Sequence, residues 1–409
     1  MIIRETMETP VSHTCDVLVA GGGVAGIAAA LAAARSGKKV TLIERGFMLG
    51  GLATAGLVTI YLPLCDGYGR QVSFGLAEEL LRLSIAVEAP HTRGYDNWIA
   101  NDDPARRTEH DRRFEVDFNP SLFAISAEKL LLENGVRILY GVYAVAAIRE
   151  GNRISAVIVE SKSGRQAITA GSYVDATGDF DIGHFAGCPE KTFRQGNVLA
   201  AWYYAFGSRG VDLHMLGYAD VPDEEKTDEE RAAGGVVRYT GLDAGEISDF
   251  MIRAHETEMA DVLKRRENDP TVVPVTIPTM PQLRMTRHID GVTELSSADV
   301  HRPFADSVGM VSDWRKRGPV YEVPFSSLWS EAVVNLAAAG RCTSVTEGMW
   351  DIMRVIPCCA VTGEAAGVAA AMTDDFSALD VTELQSELER RGVVLHESDL
   401  KKIHKGETV

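Results

Sequence analysis

The run Gly21-Gly22-Gly23-Val24-Ala25-Gly26 has the spacing G-x-G-x-x-G. Between a strand and a helix, that spacing holds a pyrophosphate. Gly21 permits the tight turn, Gly23 lets the backbone approach the phosphates, and Gly26 lets the helix lie close on the strand. The helix start, at Val24 and Ala25, adds free N–H groups and the positive end of its dipole. Glu44 and Arg45 follow at the end of the next apolar run. A carboxylate there can accept hydrogen bonds from ribose hydroxyls. The chemistry implied is dinucleotide binding.

The elements that must position these residues can be read around them. Cys15–Ala20 is a short β-rich run, Val24–Ser36 an Ala-rich helix stopped by Gly37, and Lys39–Glu44 a second β-branched run. This is the β–turn–α–β unit of a parallel sheet. The pattern weakens from about Leu57 to Phe123. Ser126–Leu132 then reads as helix and Val136–Tyr140 as strand. Val142–Ile148, Ile154–Ser161 and Gln166–Val174 form a β-meander that runs into Asp175-Ala176-Thr177-Gly178-Asp179. Residues 190–330 form a second irregular block containing a helix-like Ile247–Arg266. Val333–Ala339 is a strand ending at Gly340-Arg341, and a helix starts at Pro357, a favoured first position. Asp380 and Glu383 have the spacing of a capping box for a final amphipathic helix up to Gly392.

Composition narrows the class. The chain has 409 residues, enough for two or three domains or one large domain with an insertion, and its formal charge is −17. An acidic protein repels phosphate backbones and anionic bilayers, which argues against nucleic-acid and membrane partners. The acidic run 223–230 contributes to this charge and reads as a solvated loop or helix face. The six cysteines show no CxxC, which argues against a zinc site or a redox dithiol. Cys358 and Cys359 read as reduced, small hydrophobes in a helix. The first 14 residues lack an apolar signal core, and no apolar run reaches the roughly 18 residues of a membrane span. A cytoplasmic protein is expected, with a homo-oligomer left open.

A nicotinamide domain would continue as an unbroken βαβαβ array. Here the chain passes from Glu44 into a second Gly-rich stretch, Leu49-Gly50-Gly51-Leu52-Ala53-Thr54, and then leaves the sheet. It re-enters through the meander and Asp175–Asp179, and closes at Gly340-Arg341. That split arrangement resembles the glutathione-reductase-like FAD fold, an α/β fold with a Rossmann-type parallel sheet, a β-meander and an inserted mixed α+β substrate domain. The expected boundaries are 1–56, 124–189 and 331–375 for the discontinuous FAD-binding domain, 57–123 and 190–330 for the substrate domain, and 376–409 for a C-terminal helix and tail. No second strand–GxGxxG–helix unit is found for NADPH, so electrons must enter or leave by substrate or by an external partner.

From about Cys15 to Gly392 the chain resembles the FAD-dependent oxidoreductase family of bacterial flavoproteins. The stretches that carry the resemblance are DVLVAGGGVAGIAAALAAARSG (16–37), ERGFMLGGLATAGLV (44–58), YVDATGDFDIGHFAG (173–187), RMTRHIDG (284–291), ADSVG (305–309), YEVPFSSLWSEAVVNLAAAGRCTS (321–344) and RVIPCCAVTGEAAGVAAAM (354–372). The resemblance implies FAD as cofactor. It places Gly50, Gly51 and Thr54, with Leu52 and Ala53 between them, along the pyrophosphate and ribityl chain. It puts the Ala144 backbone near adenine, and Ala176, Thr177, Gly178 and Asp179 along the inner edge. Gly340 and Arg341 then meet the phosphate or ribityl region, and Arg354, Ile356 and Pro357 approach the flavin ring.

A helix start and Arg354 beside the ring would stabilise the negative charge of reduced flavin. Arg354 could instead pair with Asp351 or Glu347. Where many relatives carry His after Ser-x-Thr, this chain has Glu347, so Glu347 or Asp351 could act as a base; either could equally be a salt-bridged acid. Trp350 could stack over substrate or flavin, or fill the core. Arg284 and Arg287 could grip a carboxylate, or hold the insert to the FAD domain. The expected reaction is dehydrogenation of a small polar substrate by hydride transfer to flavin N5, with an external electron acceptor. Reduction of an activated C=C bond, monooxygenation, and an electron-transfer subunit of a complex are the alternatives.

Overall fold

The computed structural model describes Ile3 and residues 6–86, 116–217, 226–227, 229 and 236–403, without the side chains of the last three. Most of the acidic run 223–230 lies outside these residues, as do 87–115 of the first irregular stretch.

The central sheet orders its strands Trp329–Ser330, Val333–Ala338, Gly164–Asp175, Val11–Ala20, Val40–Glu44 and Arg137–Tyr140. All neighbours in that path are parallel except the first pair. Tyr143–Glu150 and Arg153–Ser161 join through the first half of Gly164–Asp175, antiparallel, as the expected meander. The register matters most. Ala20 lies opposite both Ile43 and Asp175, and Asp175 lies opposite Ala338. Four strands therefore end level with one another, and the turns that follow Ala20, Glu44, Asp175 and Ala338 open on one edge. In a parallel sheet that edge, at the carboxyl ends of the strands, is where ligands bind.

One face of the sheet carries two apolar helices, Val24–Arg35 and Ile356–Met372, buried on nearly every side. Small residues let them meet at backbone distance. A Cβ added at Gly363 would lie 2.3 Å from the Ala25 carbonyl oxygen, and one at Gly367 2.2 Å from that of Ala29. The later helix begins one residue before Pro357, with Val355 as its extended N-cap. A helix at Leu76–Ile85, within the stretch where the sequence pattern weakens, packs beside it; there Glu364 accepts from the Leu76 N–H at 2.7 Å.

The block after Glu190 builds a three-stranded antiparallel sheet from Gly210–His214, Tyr203–Gly207 and Val273–Thr276. It also holds a long helix, Ala244–Arg266. That helix starts earlier than its apolar pattern suggests because Asp243 caps it, accepting from Gly245 and Glu246 N–H. Asp380 likewise caps Val381–Arg390 through Thr382 and Glu383 N–H.

Glu364 makes a pH prediction. Burial raises its carboxyl to about 7, above the ~4.3 of an exposed glutamate. Between those values the native state holds a proton that the unfolded chain has lost, so stability falls as pH rises through the window and levels off above it. Glu364→Gln keeps an acceptor for Leu76 and removes the titration. Urea unfolding at pH 5 and pH 7.5 should show the loss of stability between the two shrinking by about 2 kcal/mol relative to wild type.

The cofactor groove and the adjoining cavity

The groove at the sheet edge is lined by Gly21, Gly23, Val24 and Ala25 of the first turn, and by Glu44 and Arg45 after the second strand. Gly50, Gly51, Leu52 and Ala53 follow, then Ala176, Thr177 and Gly178, and finally Gly340, Arg341, Arg354 and Ile356. Residues more than 300 positions apart thus face one another. Ala339, which leads into the closing Gly340-Arg341, lines it too, as do Met280 and Cys359, which the sequence does not single out as cofactor contacts. Cys359 stands one turn into its helix, which was a usable signal; nothing around Met280 offered one.

Local hydrogen bonds explain how each turn is held. Gly21 has φ +97°, and a Cβ there would lie 2.4 Å from the Ala176 carbonyl oxygen. The Gly22 N–H donates to Glu44 Oε2 at 2.7 Å, the Gly46 N–H to Oε1 at 2.6 Å, and the Gly50 N–H to the Gly22 carbonyl at 2.8 Å. Asp175 organises the next turn. One carboxylate oxygen accepts from the Thr177 N–H and hydroxyl, the other from the Gly183 N–H. Burial still lifts its pKa, to about 6. The Gly340 N–H donates to Thr362 Oγ1 at 2.9 Å, fastening that turn to the late helix.

Five expected cofactor residues do not line the groove, among them Pro357, which is buried within its helix. Gly26 acts one step away, since a Cβ on it would lie 1.8 Å from the Gly21 carbonyl oxygen. Thr54 is buried, donates to the Leu49 carbonyl at 2.5 Å, and borders a different cleft. Asp179 accepts from the Thr286 hydroxyl at 2.8 Å and pairs with Arg341 at 3.4 Å. Ala144 pairs with Val159 in the meander, away from the lining.

A second cavity opens from the inner end of the groove. It shares Leu52, Ala53, Arg341, Arg354 and Ile356 with the groove and adds Val58, Ile60, Leu62, Trp202, Met215, Arg284, Trp314 and Val355. Its lining is mostly apolar. Cys359 lines the groove but not this cavity, and burial pushes its thiol up to about 12.

The expected catalytic residues divide. Arg354 lines both spaces, and its Nε also donates to Asp351 at 2.9 Å, so it is at once a lining cation and a paired one. Asp351 is buried between Arg354 and Arg315, the latter at 3.4 Å, and lines neither space. Glu347 faces outward and accepts from the Arg194 N–H and Nε at 3.1 and 3.3 Å. Thr346 caps the short helix Glu347–Met353, accepting from the Met349 N–H, and Glu347 is the acid of that helix's first turn. Trp350 is fully buried, stacked edge-on with His288 and Phe193, and its Nε1 donates to the Arg341 carbonyl at 2.8 Å. It fills the core and steadies Arg341. Arg287 reaches the Asp179 carbonyl and the Asp181 carboxylate, both at 3.0 Å, which ties the strand Arg287–Ile289 to the turn after Asp175, and Arg287 does not line the cavity. His184 pairs with Glu190 at the surface. All six cysteines are free.

Strand register, glycine turn and groove together define a dinucleotide-binding protein of the Rossmann type. The chain belongs to the FAD dependent oxidoreductase family, which matches it over residues 16–201 and 205–388. Among curated proteins it is similar to a thioredoxin reductase of Ureaplasma parvum, 33% identical over 72 residues, or 18% of this chain and 23% of that one. It also matches the sarcosine oxidase subunit alpha of Rhizobium meliloti, 28% identical over 144 residues, or 33% of this chain and 14% of that one. The chain thus spans less than a quarter of the length of these relatives. Among solved structures, a geranylgeranyl bacteriochlorophyll reductase-like protein from Thermoplasma acidophilum aligns over 96% of this chain and 83% of its own, at 13% identity and a TM-score of 0.41. The p-nitrophenol 4-monooxygenase from Pseudomonas putida aligns over 93% and 85%, at 10% identity and a TM-score of 0.45. No reaction transfers at that similarity.

The groove fits FAD on its own geometry. The helix Val24–Arg35 starts at Gly23 with no side chain capping it, and a Cβ at Gly23 would meet nothing within 4 Å. Its free N–H groups therefore face open space of the kind a pyrophosphate fills. Gly23 and Gly21 should accordingly fail in different ways. Gly23→Val, at φ −66°, should leave the unfolding free energy of the FAD-free protein nearly unchanged, within ~0.5 kcal/mol. Its FAD dissociation constant, measured by flavin fluorescence, should rise at least about tenfold. Gly21→Ala, at φ +97° against backbone, should lower stability itself by roughly 1–3 kcal/mol.

Proposed function

We propose that this protein dehydrogenates a small organic substrate held in the cavity that adjoins the cofactor groove, and passes the electrons to an external acceptor. The observation that carries the reading is the shared wall. Leu52, Ala53, Arg341, Arg354 and Ile356 belong to both spaces, so a molecule in the second touches the inner end of the first. A volume of about 280 Å³ suits a small molecule and lies near the lower end of ligand sites. An electron-transfer subunit would have less use for a largely apolar cavity beside the cofactor groove. Bound FAD would supply the two-electron acceptor. At the inner end the chain supplies the positive helix start at Ile356, which no side chain caps, beside the Arg354–Asp351 ion pair. Apolar walls at Val58, Ile60, Leu62, Trp202 and Trp314 exclude water.

The architecture we assign is glutathione-reductase-like. Residues 1–56, 124–189 and 331–375 form the FAD-binding unit, 57–123 and 190–330 the inserted substrate unit, and 376–409 the C-terminal segment. Nearly all strands of the central sheet fall in the first group, which supports the division. Free cysteines at all six positions suit a reducing, cytoplasmic setting.

Anaerobic mixing with panels of amino acids, hydroxy acids and other small organic acids should bleach the bound flavin with one class. Bleaching by NADPH alone would replace this reading with a reductase or monooxygenase. Because Glu347 points away from the cavity, Glu347→Gln should change the bleaching rate by less than roughly threefold, measured by stopped-flow absorbance with the substrate that bleaches the wild type.

A further inference from the structure

Arg284 is the charged group of the cavity that nothing in the protein answers. It is only 5% exposed, yet no carboxylate or carbonyl among the described residues accepts from its guanidinium, and its Nε is buried without a partner. Its backbone is fully engaged: the N–H donates to Asn197 Oδ1 at 2.8 Å, and the carbonyl accepts from Arg341 at 3.0 Å. The side chain lies against Trp202, with Cζ 5.0 Å from the ring centroid. The nearest acids are committed elsewhere, Asp351 to Arg354 and Arg315, and Asp179 to Arg341. Burial first, then repulsion from Arg354 and Arg341, pushes Arg284 down to about 9, which still leaves it charged at neutral pH. A buried charge without a counter-charge is costly, and a chain that keeps one at a cavity wall has a use for it.

We propose that the cavity binds a carboxylate with an apolar body, and that Arg284 grips the carboxylate. This deepens the reading of the cavity as a substrate chamber and rests on it. One guanidinium lacking a counter-ion calls for one anionic group. Its N–H edges match a carboxylate two to two, while its face is supported by the indole of Trp202. Most of the remaining walls, among them Val58, Ile60, Leu62 and Met215, are apolar, and the other two lining arginines, Arg341 and Arg354, are already paired with Asp179 and Asp351. Such a lining favours aliphatic or aromatic acids over sugar acids and inorganic anions. Arg287, although near in sequence, is already held by Asp179 and Asp181 and takes no part.

The test is equilibrium binding to the FAD-loaded protein, with phenylacetate, hexanoate and their primary amides as probes. Binding is read from perturbation of the flavin absorbance and, independently, from thermal shift. At least one acid should bind roughly 30-fold or more tightly than its amide. Arg284→Gln should abolish that preference, and Arg284→Lys should restore part of it. FAD content and midpoint potential are measured on each variant. Equal binding of acids and amides would overturn the proposal, as would a preference that survives in Arg284→Gln. So would an altered potential with acid binding unchanged, since Arg284 would then serve the cofactor's charge. Failure of the oxidoreductase reading is seen separately, as a flavin that no substrate panel bleaches, whereas acid preference by thermal shift tests Arg284 alone.

Discussion

The helices Val24–Arg35 and Ile356–Met372 meet backbone against backbone, with Gly363 over the Ala25 carbonyl and Gly367 over that of Ala29. Two groove walls far apart in the chain are set by this contact. The first helix begins at the early glycine turn, the second at the inner end of the groove, and their separation fixes how far apart those starts lie. Thr362, on the same later helix, holds the Gly340 N–H, so the closing turn moves with it. Interiors pack densely, and a single methyl at either glycine would have to push one wall away from the other.

Strand register supplies the other dimension. Because Ala20, Ile43, Asp175 and Ala338 end level, four turns reach one edge, and each is held there by a short polar contact instead of by apolar burial. Glu44 and Asp175 each spend both carboxylate oxygens on backbone N–H groups. Deeper in, three arginines converge where only two acids answer them. Asp351 and Asp179 neutralise Arg354 and Arg341, and Arg284 is left over. Apolar walls, a positive inner end and one unanswered cation give the cavity its chemical character.

The glycine turn, Glu44, the second Gly-rich stretch, the turn after Asp175 and Gly340-Arg341 were all legible because each is local. A turn needing positive φ, a helix start or a strand end is written in a few adjacent residues. The same holds for the meander, whose three strands depart from their expected bounds by only a residue or two. The catalytic candidates were far less legible. Glu347, Asp351, Trp350 and Arg287 lay in segments of the right family pattern, yet their side chains turn toward Arg194, Arg315, Arg341 and Asp181. Arg284 and Arg287 show the difficulty most plainly. They are three residues apart and of one type; one is paired and the other is not.

What the sequence determined by itself was the cofactor class and the list of turns that must meet around it, since these follow from backbone geometry written locally. What only the tertiary structure decided was which charges remain after pairing, and hence what the cavity can hold. Charge pairing depends on partners up to hundreds of residues away, and nothing in the spacing along a chain records which acid will reach which base.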